Sequence, residues 1–400
     1  MLLLGLALRV VWFHVVERSP DELQYTSLAA GIAREGPSFQ TRVTRAFNRG
    51  GEVYPWPHRF GFVALYAAFI RLTGRPVVET GEAMSLLASL AAIAIAGAIG
   101  FGELEPWAGV ITMLFLAVSP LDLALARRAW QDAVTGLFAM AMLWSFLRAR
   151  DGARIGRIAF FAIGGFALLV KESLVIPYAL GAAGLVGFEW QRTRDWRAPA
   201  RVLAVAAVVA LAAFATDIAV NGGWRELRTT MDLVREPDGG DEYDRHYQTG
   251  GVGYYLTGMR ILQPQLFLLG YVAAALALFW PRGPLARIAS PRARSTLTVL
   301  AVYLAVFSAI SFSFPSKNLR FLSPIFGACA LLAASLVVGS ARAILARAAP
   351  SRARIGVAVL VIALAALAVR DVTRFHFYFI ENELQDLATP WFTEVDSGKL

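Results

Sequence analysis

The chain has 400 residues, of which 57% are hydrophobic and only 17% are charged, and its net charge is +9. A soluble domain of this size could not hide so much apolar surface, which excludes an ordinary globular protein. The basic residues stand in short clusters between apolar runs, as in the cytoplasmic loops of membrane proteins. We therefore expect no nucleic acid among its partners.

The apolar residues come in runs of about 16 to 20, the length that a helix needs to cross the bilayer core. The sequence lacks the alternating pattern of a transmembrane barrel. We therefore predict an all-α, polytopic transmembrane helix bundle of about eleven spans. The predicted spans are 1–16, 82–101, 107–125, 133–149, 158–170, 173–188, 202–220, 261–280, 296–314, 321–340 and 355–370.

The first predicted span has no basic n-region and no small-residue cleavage site, so we interpret it as a retained helix rather than a signal peptide. Arg9 lies in its middle, where a charge facing lipid would be costly. We expect Arg9 to face the bundle or to extend to the cytoplasmic boundary.

Cysteine and histidine offer no recognisable metal site. Cys329 is the only cysteine, which excludes an intrachain disulfide and a cysteine-based metal site. The histidines are scattered and show no metal-binding spacing. They are His14, His58, His246 and His376.

A further apolar segment, 59–73, decides the topology of every later span. Four loops carry four arginines each, and all four loops are cytoplasmic only if 59–73 does not cross the membrane. We therefore predict that 59–73 is an interfacial helix with Arg59 and Arg71 at its ends. The sixteen arginines are Arg148, Arg150, Arg154, Arg157, Arg192, Arg194, Arg197, Arg201, Arg282, Arg287, Arg292, Arg294, Arg342, Arg347, Arg352 and Arg354.

This topology predicts three segments on the extracytoplasmic side. They are a long loop, 17–81, with two helices lying along the membrane, a second loop, 221–260, and the C-terminal tail, 371–400. We find no internal repeat in the sequence, which argues against a transporter built from inverted repeats.

The segment Ser19–Tyr25 follows the first span and carries two acids. Ser19 is a good N-cap, Pro20 suits the first helical position, and Glu22 is placed for a capping box. In that interpretation Asp21 and Glu22 only complement the helix dipole. The alternative is that Asp21 is a catalytic base, which the helix N-terminus holds at the membrane surface.

The outer turn RRAWQD (127–132) admits two interpretations as well. It is either a solvated turn in which Asp132 caps the next helix, or it places a second acid near Asp21 with arginines for an anionic ligand. Arginine pairs on this side oppose the prevailing charge bias.

Two more outer turns carry cations. Lys171 either forms an internal pair with Glu172 or contacts a phosphate. Lys317 and Arg320 are either interfacial anchors or a phosphate clamp. The glycine-rich stretch 250–253 precedes Tyr254 and Tyr255 and reads as a flexible loop before an aromatic interfacial helix, not as a nucleotide motif.

These motifs, in this order, resemble the GT-C glycosyltransferases of family 39, the protein O-mannosyltransferase and aminoarabinose transferase type. The similar stretches are DELQY (21–25), RRAWQD ending at Asp132, GGFALLVKES containing Lys171, and KNLRFLSP containing Lys317 and Arg320. The chain departs from the family at Phe321, where a tyrosine is common, and at YPWPHRFG, where the family has Lys-Pro-Pro. The resemblance implies a GT-C-like catalytic module over 1–340, followed by the last span and a short tail in 341–400.

The resemblance also implies an inverting transfer of a sugar from a polyprenyl-phosphate donor to a lipid, glycan or protein acceptor. The site would lie on the extracytoplasmic face of the plasma or inner membrane. Asp21 would be the base, with Asp132 and Glu22 in support. The remaining assignments are the phosphate ligands Lys171, Arg320, Lys317 and Arg128, and the acceptor or loop residues Tyr25, His58, Tyr254 and Tyr255.

No cofactor is certain. Asp21 and Glu22 could support a divalent cation such as Mg²⁺ or Mn²⁺, but two acids alone do not establish one.

Two other functions stay open: a transporter or lipid flippase without covalent chemistry, and a structural subunit of an envelope-assembly complex. A transporter would need ionisable groups near the midplane, and apart from Arg9 and Asp217 the charges sit at the ends of spans.

Overall fold

The computed structural model describes residues 1–13, 19–50, 59–235, 246–280, 290–347 and 349–398. Within these residues the regular structure is helical, and the one β-type pairing is a bridge between Thr249 and Ser316. The helices are α1 (Leu2–Val11), α2 (Pro20–Glu35), α3 (Ser38–Asn48), α4 (Phe60–Thr73), α5 (Val77–Ile99), α6 (Pro106–Ala117), α7 (Pro120–Leu125), α8 (Gln131–Arg150), α9 (Arg154–Val170), α10 (Val175–Thr193), α11 (Arg197–Val220), α12 (Trp224–Arg235), α13 (Gly253–Leu262), α14 (Pro264–Phe279), α15 (Pro291–Ser313), α16 (Phe326–Leu345), α17 (Pro350–His376) and α18 (Thr389–Asp396).

Many of these helices suit a bilayer. Six helical segments of the described residues are long and apolar enough to cross a membrane, and four shorter apolar helices accompany them. Each of the eleven predicted spans overlaps described helical residues, the chain is a multi-pass helical membrane protein, and the predicted all-α class is confirmed. The six long segments are Val77–Leu104, Glu172–Thr193, Arg197–Val220, Pro291–Ser313, Leu319–Leu345 and Ser351–Glu381.

The predicted boundaries differ from the structure in several places. The span 261–280 covers the end of α13 and all of α14, which begins at Pro264. The span 107–125 is two helices, because Pro120 lacks a backbone N–H and begins α7 after the break at Val118 and Ser119. The described residues of the predicted outer loop 17–81 contain α2, α3, α4 and the start of α5.

The chain forms two compact units. Unit 1 contains Met1–Trp12, Ser89–Leu125 and Glu242–Leu400, and unit 2 contains Phe13–Ala88 and Ala126–Asp241. The predicted division at residue 340 follows the resemblance rather than compactness and stays a prediction.

Unit 1 is built around α16, which packs against α14 and α15. The approach of α14 to α16 requires Gly270, since a Cβ there would lie 2.3 Å from the Cys329 Sγ. The expectation that Arg9 faces the bundle is confirmed: it is fully buried, forms an ion pair with Asp122 and donates to Ser89 Oγ at 2.9 Å. A buried arginine of this kind needs such partners, because an uncompensated charge in a membrane protein interior is unfavourable.

Unit 2 packs α8 against α9, α10 against α11, and α4, which is predicted to be interfacial, against both α2 and α9. The contact of α4 with α9 requires Gly61, where a Cβ would lie 2.8 Å from Leu169. Tyr25 of α2 meets Phe62 of α4 edge to face, with ring centroids 5.1 Å apart. This packing holds the N-terminal half of α2 beside the start of α4, and Arg59 at that start reaches the turn that follows α9.

Candidate active site

The first part of the candidate site is the N-terminus of α2. Ser19 is the N-cap and its Oγ accepts from the backbone N–H of Glu22, while Pro20 occupies the first helical position. The predicted roles of Ser19 as the N-cap and of Pro20 at the first helical position are therefore confirmed, and they are compatible with Asp21 as a base. Asp21 is buried, with 7% of its surface exposed, and the first turn of α2 fixes its backbone.

Glu22 ties α2 to the turn at residues 126–130. Its carboxylate accepts from the Arg128 Nη1 at 3.1 Å and from the Ala129 backbone N–H at 3.0 Å. Trp130 completes the junction, because its indole N–H donates to Ser19 Oγ at 3.0 Å and its ring lies 5.0 Å from the Arg128 guanidinium. Arg128, predicted as a phosphate ligand, is thus engaged with Glu22, and a phosphate contact for it stays a prediction.

The second part is a buried ion pair between Lys171 and Asp132. Lys171 lies between α9 and α10, and its ammonium donates to Asp132 Oδ1 near the start of α8. Lys171 is 4% exposed and Asp132 is fully buried. The ammonium of Lys171 thus meets the carboxylate of Asp132, and a phosphate contact for Lys171 stays a prediction.

The third part is a chain of three side chains centred on Arg59, which immediately precedes α4. The Arg59 Nη1 donates to the Tyr25 hydroxyl at 2.5 Å, and its Nε donates to Glu172 Oε1 at 3.1 Å. Burial by itself would lower the pKa of Arg59, but the Glu172 carboxylate and the Tyr25 hydroxyl raise it above its ordinary value. Arg59 is therefore a permanent cation at the base of unit 2's cavity.

That cavity has a volume of about 380 Å³. Arg59, Lys171 and Glu172 line its polar part, and Asp217 of α11 lines it as well. The rest of the wall is apolar and comes from α9, α10 and α11: Leu168, Leu169, Val175, Ala210, Ala213 and Phe214. A cavity that joins fixed cations to an apolar wall suits an anionic amphiphile.

In unit 1, Lys317 is held without a carboxylate. Its ammonium donates to the carbonyl oxygens of Phe312, at 3.0 Å, and Phe314, and it lies 5.7 Å from the centre of the Tyr255 ring. Lys317 is 2% exposed. Within the part of the chain that the structure describes, no carboxylate lies within ion-pair distance of this ammonium.

The C-terminal tail anchors the turn that carries Lys317 and Arg320. Asn318 donates to Asp386 Oδ1 at 2.9 Å, and the Leu319 N–H donates to the Leu387 carbonyl at 3.1 Å. Arg320 is buried, with its guanidinium 5.7 Å from the Phe321 ring. The substitution of phenylalanine for the family's common tyrosine at 321 thus retains an aromatic ring beside the arginine.

Tyr254 and Tyr255 begin α13 and are buried rather than displayed on a loop. The Tyr254 hydroxyl accepts from the Thr389 N–H at 3.0 Å, which docks α18 on α13. Burial raises the pKa of Tyr255 to about 12, against a weaker opposing effect of its backbone hydrogen bond with Asn318. Its ring stacks on Phe312 at 5.0 Å. His58, the remaining predicted residue, lies outside the described residues.

No family model matches the chain, and no curated protein matches it by sequence. Its structure is similar to ArnT from Cupriavidus metallidurans in the apo state, with a TM-score of 0.53 and 17% identity over 98% of this chain and 73% of ArnT. It is also similar to the arabinosyltransferase EmbB from Mycobacterium smegmatis, with a TM-score of 0.54 and 14% identity over 86% of this chain and 31% of EmbB. The chain has the GT-C fold.

A further solved structure with the GT-C fold is the oligosaccharyltransferase from Archaeoglobus fulgidus. The TM-score is 0.56 and the identity is 12%, over 94% of this chain and 55% of that protein. At such identities the likeness establishes the fold alone, and the reaction has to be argued from the site.

Three residues of this GT-C chain matter more to the candidate site than the sequence indicated. The sequence contains a signal for Arg59, because a cation at the N-terminus of a helix opposes the helix dipole and needs a specific partner. No comparable sequence feature indicates a role in the site for Glu172 or Trp130. Their roles depend on contacts with Arg59 and Ser19, which are distant in the sequence.

Proposed function

We propose that this chain is a membrane glycosyltransferase that moves a sugar from a polyprenyl-phosphate donor to a hydroxyl group of a lipid, glycan or protein acceptor on the extracytoplasmic face. The observation that carries the proposal is the cavity of unit 2, in which Arg59 and Lys171 adjoin apolar walls from α9, α10 and α11. A polyprenyl phosphate has the matching chemistry, since its phosphate needs cations and its tail needs apolar surface. The GT-C fold, shared with ArnT and EmbB, supports the same reaction class.

The reaction is a single displacement at the anomeric carbon. The acceptor oxygen forms a bond to that carbon while the bond from the carbon to the phosphate oxygen breaks. The electron pair of the broken bond leaves with the polyprenyl phosphate. A phosphate is already a good leaving group, so it needs its charge stabilised rather than a general acid. Attack from the opposite face inverts the anomeric configuration.

Asp21 is assigned as the base that takes the proton of the acceptor hydroxyl. The assignment favours Asp21 over Glu22, because Arg128 and the Ala129 N–H engage both oxygens of Glu22. Glu22 instead fixes the first turn of α2 against the 126–130 turn. Its role is to position Asp21.

Lys171 and Arg59 are assigned to the phosphate of the donor. Asp132 holds the Lys171 ammonium, and Tyr25 and Glu172 hold the Arg59 guanidinium. Cations fixed in this way stabilise developing negative charge without having to reorganise. For Lys317 and Arg320 the role of phosphate ligand stays a prediction.

No step is assigned to Mg²⁺ or Mn²⁺. Hard divalent cations take several oxygen ligands, and the described residues contain no group of three or more acids, histidines or cysteines that could hold one. Glu22 is in addition already engaged with Arg128.

The test is Asp21→Asn, which removes the base with almost no change in volume. Transfer of a labelled sugar from polyprenyl phosphate to membrane acceptors should fall by about 10²- to 10⁴-fold, while the thermal unfolding midpoint stays near that of the wild type. The matched control is Asp195→Asn, an exposed acid in the turn before α11, which should leave transfer unchanged. Undiminished transfer by Asp21→Asn would reject the assigned base, and loss of the flux of an intact lipid without loss of transfer would favour a flippase.

A further inference from the structure

The outer end of α11 leads directly into an amphipathic helix. α11 is a candidate span whose apolar side chains are largely exposed, among them Val208, Leu211 and Phe214, so this surface faces lipid. The span ends at Val220, and two glycines with φ of 91° and 111°, Gly222 and Gly223, turn the chain into α12. α12 therefore begins where α11 leaves the hydrocarbon.

The exposed face of α12 has the composition of a membrane interface. Trp224, Arg228 and Met231 are exposed and follow one another at helical spacing, whereas Leu227 and Thr230, on the adjoining side of the helix, are buried. The Trp224 ring meets the lipid-facing Phe214 edge to face, with centroids 6.0 Å apart. Tryptophan and arginine on one face are typical of helices that lie at the boundary between lipid and water.

α3 presents a second basic face. Arg42, Arg45 and Arg49 are exposed and recur at spacings of three and four, and residues 38–49 contain no acid. Gln40 and Thr44 occupy the buried side of the same helix. A cluster of arginines at this end of α11 opposes the charge bias predicted for the outer side, so topology does not account for it.

Buried polar contacts lock α3, α12 and the end of α11 together. Asn221 accepts from Gln40 at 3.3 Å and from Thr44 at 2.8 Å. Asn48 donates to Glu226 Oε2 at 2.8 Å and accepts from Thr230 at 2.8 Å. The two helices are thus a fixed platform on the lipid-facing span, and we name the exposed arginines of α3 and α12, with Trp224 and Met231, the arginine platform.

The charges of the arginine platform are available to a ligand. Its exposed arginines are Arg42, Arg45, Arg49, Arg225 and Arg228. The ion pairs that some of them form are at the surface, such as Arg228 with Asp232 at 3.6 Å and Arg45 with Glu226 at 4.0 Å. Exposed ion pairs contribute little to stability, so a phosphate can replace the carboxylate with only a small loss of free energy.

We infer that the arginine platform binds the phosphate headgroups of anionic bilayer lipids, with Trp224 and Met231 inserted among the acyl chains beside α11. The partner is a lipid surface and not a soluble anion, because the basic side chains share their face with exposed apolar ones and adjoin a lipid-facing span. The arginines of the platform do not line the donor cavity, although Trp224 contacts Phe214, which does. The lipid binding holds whether or not the chain transfers a sugar.

The test compares the intact protein in nanodiscs of pure phosphatidylcholine and of phosphatidylcholine with phosphatidylglycerol. The wild-type unfolding midpoint should be higher in the anionic discs by about 3–5 °C, since a ligand that binds only the folded state stabilises it. The triple variant Arg42→Gln, Arg45→Gln and Arg228→Gln should lose at least half of that gain. The matched triple variant with lysine at the same positions should keep it, because lysine preserves the charge.

A site-specific label supplies the second measurement. Met231→Cys can be spin-labelled selectively because Cys329, the one native cysteine, is fully buried. In anionic discs the label should become more accessible to lipid-soluble oxygen than to a water-soluble nickel chelate. The proposal fails if the glutamine variant keeps the whole gain, if the lysine variant loses it, if free glycerol phosphate reproduces it, or if the label stays in water.

Discussion

Lys317 of unit 1 is held in a different way from the candidate-site cations of unit 2. In unit 2 each cation of the candidate site meets a carboxylate, namely Arg128 with Glu22, Lys171 with Asp132, and Arg59 with Glu172. In unit 1, Lys317 meets carbonyl oxygens and the Tyr255 ring, and the described residues bring no carboxylate to it. Loss of one partner of a buried pair leaves an uncompensated charge in the protein, whereas loss of a buried cation that is held only by dipoles leaves none.

This difference predicts that substitutions in the two units affect stability and ligand binding to different degrees. Breaking the fully buried pair of unit 2, Lys171 with Asp132, should cause the larger loss of stability. Removing the cation of unit 1 should affect binding more than stability. The four predictions that follow test this difference in order of expected effect.

Asp132→Asn should be the most damaging. It leaves the Lys171 ammonium buried opposite a neutral amide, and removal of one partner of a buried pair costs about 3–5 kcal/mol. Denaturant unfolding in detergent measures the loss. The double variant Asp132→Leu with Lys171→Met should recover most of it, because no charge is then left uncompensated. Asp232→Asn, at the exposed pair with Arg228, should change stability by less than about 0.5 kcal/mol. Equal losses of unfolding free energy in Asp132→Asn and Asp232→Asn would show that the buried pair contributes no more than the exposed one.

Lys317→Met should show the opposite pattern. The folded protein loses a buried charge that no carboxylate balances, so its stability should be unchanged or higher. The KM for the polyprenyl-phosphate donor should rise about 10- to 100-fold, the value of a charged hydrogen bond to phosphate of about 1.5–3 kcal/mol. Vesicle assays of donor dependence measure this rise. A marked loss of stability with an unchanged KM would make Lys317 a structural residue.

Arg59→Gln should have a smaller effect on stability than Asp132→Asn and a smaller effect on the donor KM than the largest expected for Lys317→Met. Its partner Glu172 is about half exposed, so water can solvate the carboxylate that remains and the stability should fall only slightly. The KM for the donor should rise about tenfold, the equivalent of about 1.4 kcal/mol. Glu172→Gln is the control, because it removes the acid while leaving the Arg59 cation and its bond to Tyr25 in place. If Glu172→Gln raises the KM as much as Arg59→Gln does, the cation is not the group that binds the donor.

The sequence predicted the helices and their caps well, because these depend on local chemistry. Ser19 and Pro20 begin α2 as their types require, and each predicted span overlaps described helical residues. Even the break before α7 follows from Pro120, which the apolar character of 107–125 concealed.

Partners in the site could not be predicted in the same way. Lys171 stands next to Glu172 in the sequence but pairs with Asp132, which is 39 residues away. Glu172 pairs with Arg59, 113 residues away. These choices depend on how α4, α8 and α9 pack, and helix periodicity does not determine packing between helices.

The smallest effect on the donor KM is expected at Tyr255. Two substitutions there distinguish the contribution of the aromatic ring from that of the hydroxyl group. Tyr255→Phe keeps the aromatic face next to Lys317, so donor KM and stability should change little. Burial holds the pKa of the Tyr255 hydroxyl at about 12, so the group is neutral in both folded and unfolded chains near pH 7 and contributes no pH dependence there. Tyr255→Leu removes the ring and should weaken the hold on the ammonium by about 0.5–1 kcal/mol, a twofold to fivefold rise in KM. If Tyr255→Phe and Tyr255→Leu behave alike in a donor titration, the ring does not position Lys317, and the carbonyl oxygens of Phe312 and Phe314 hold it alone.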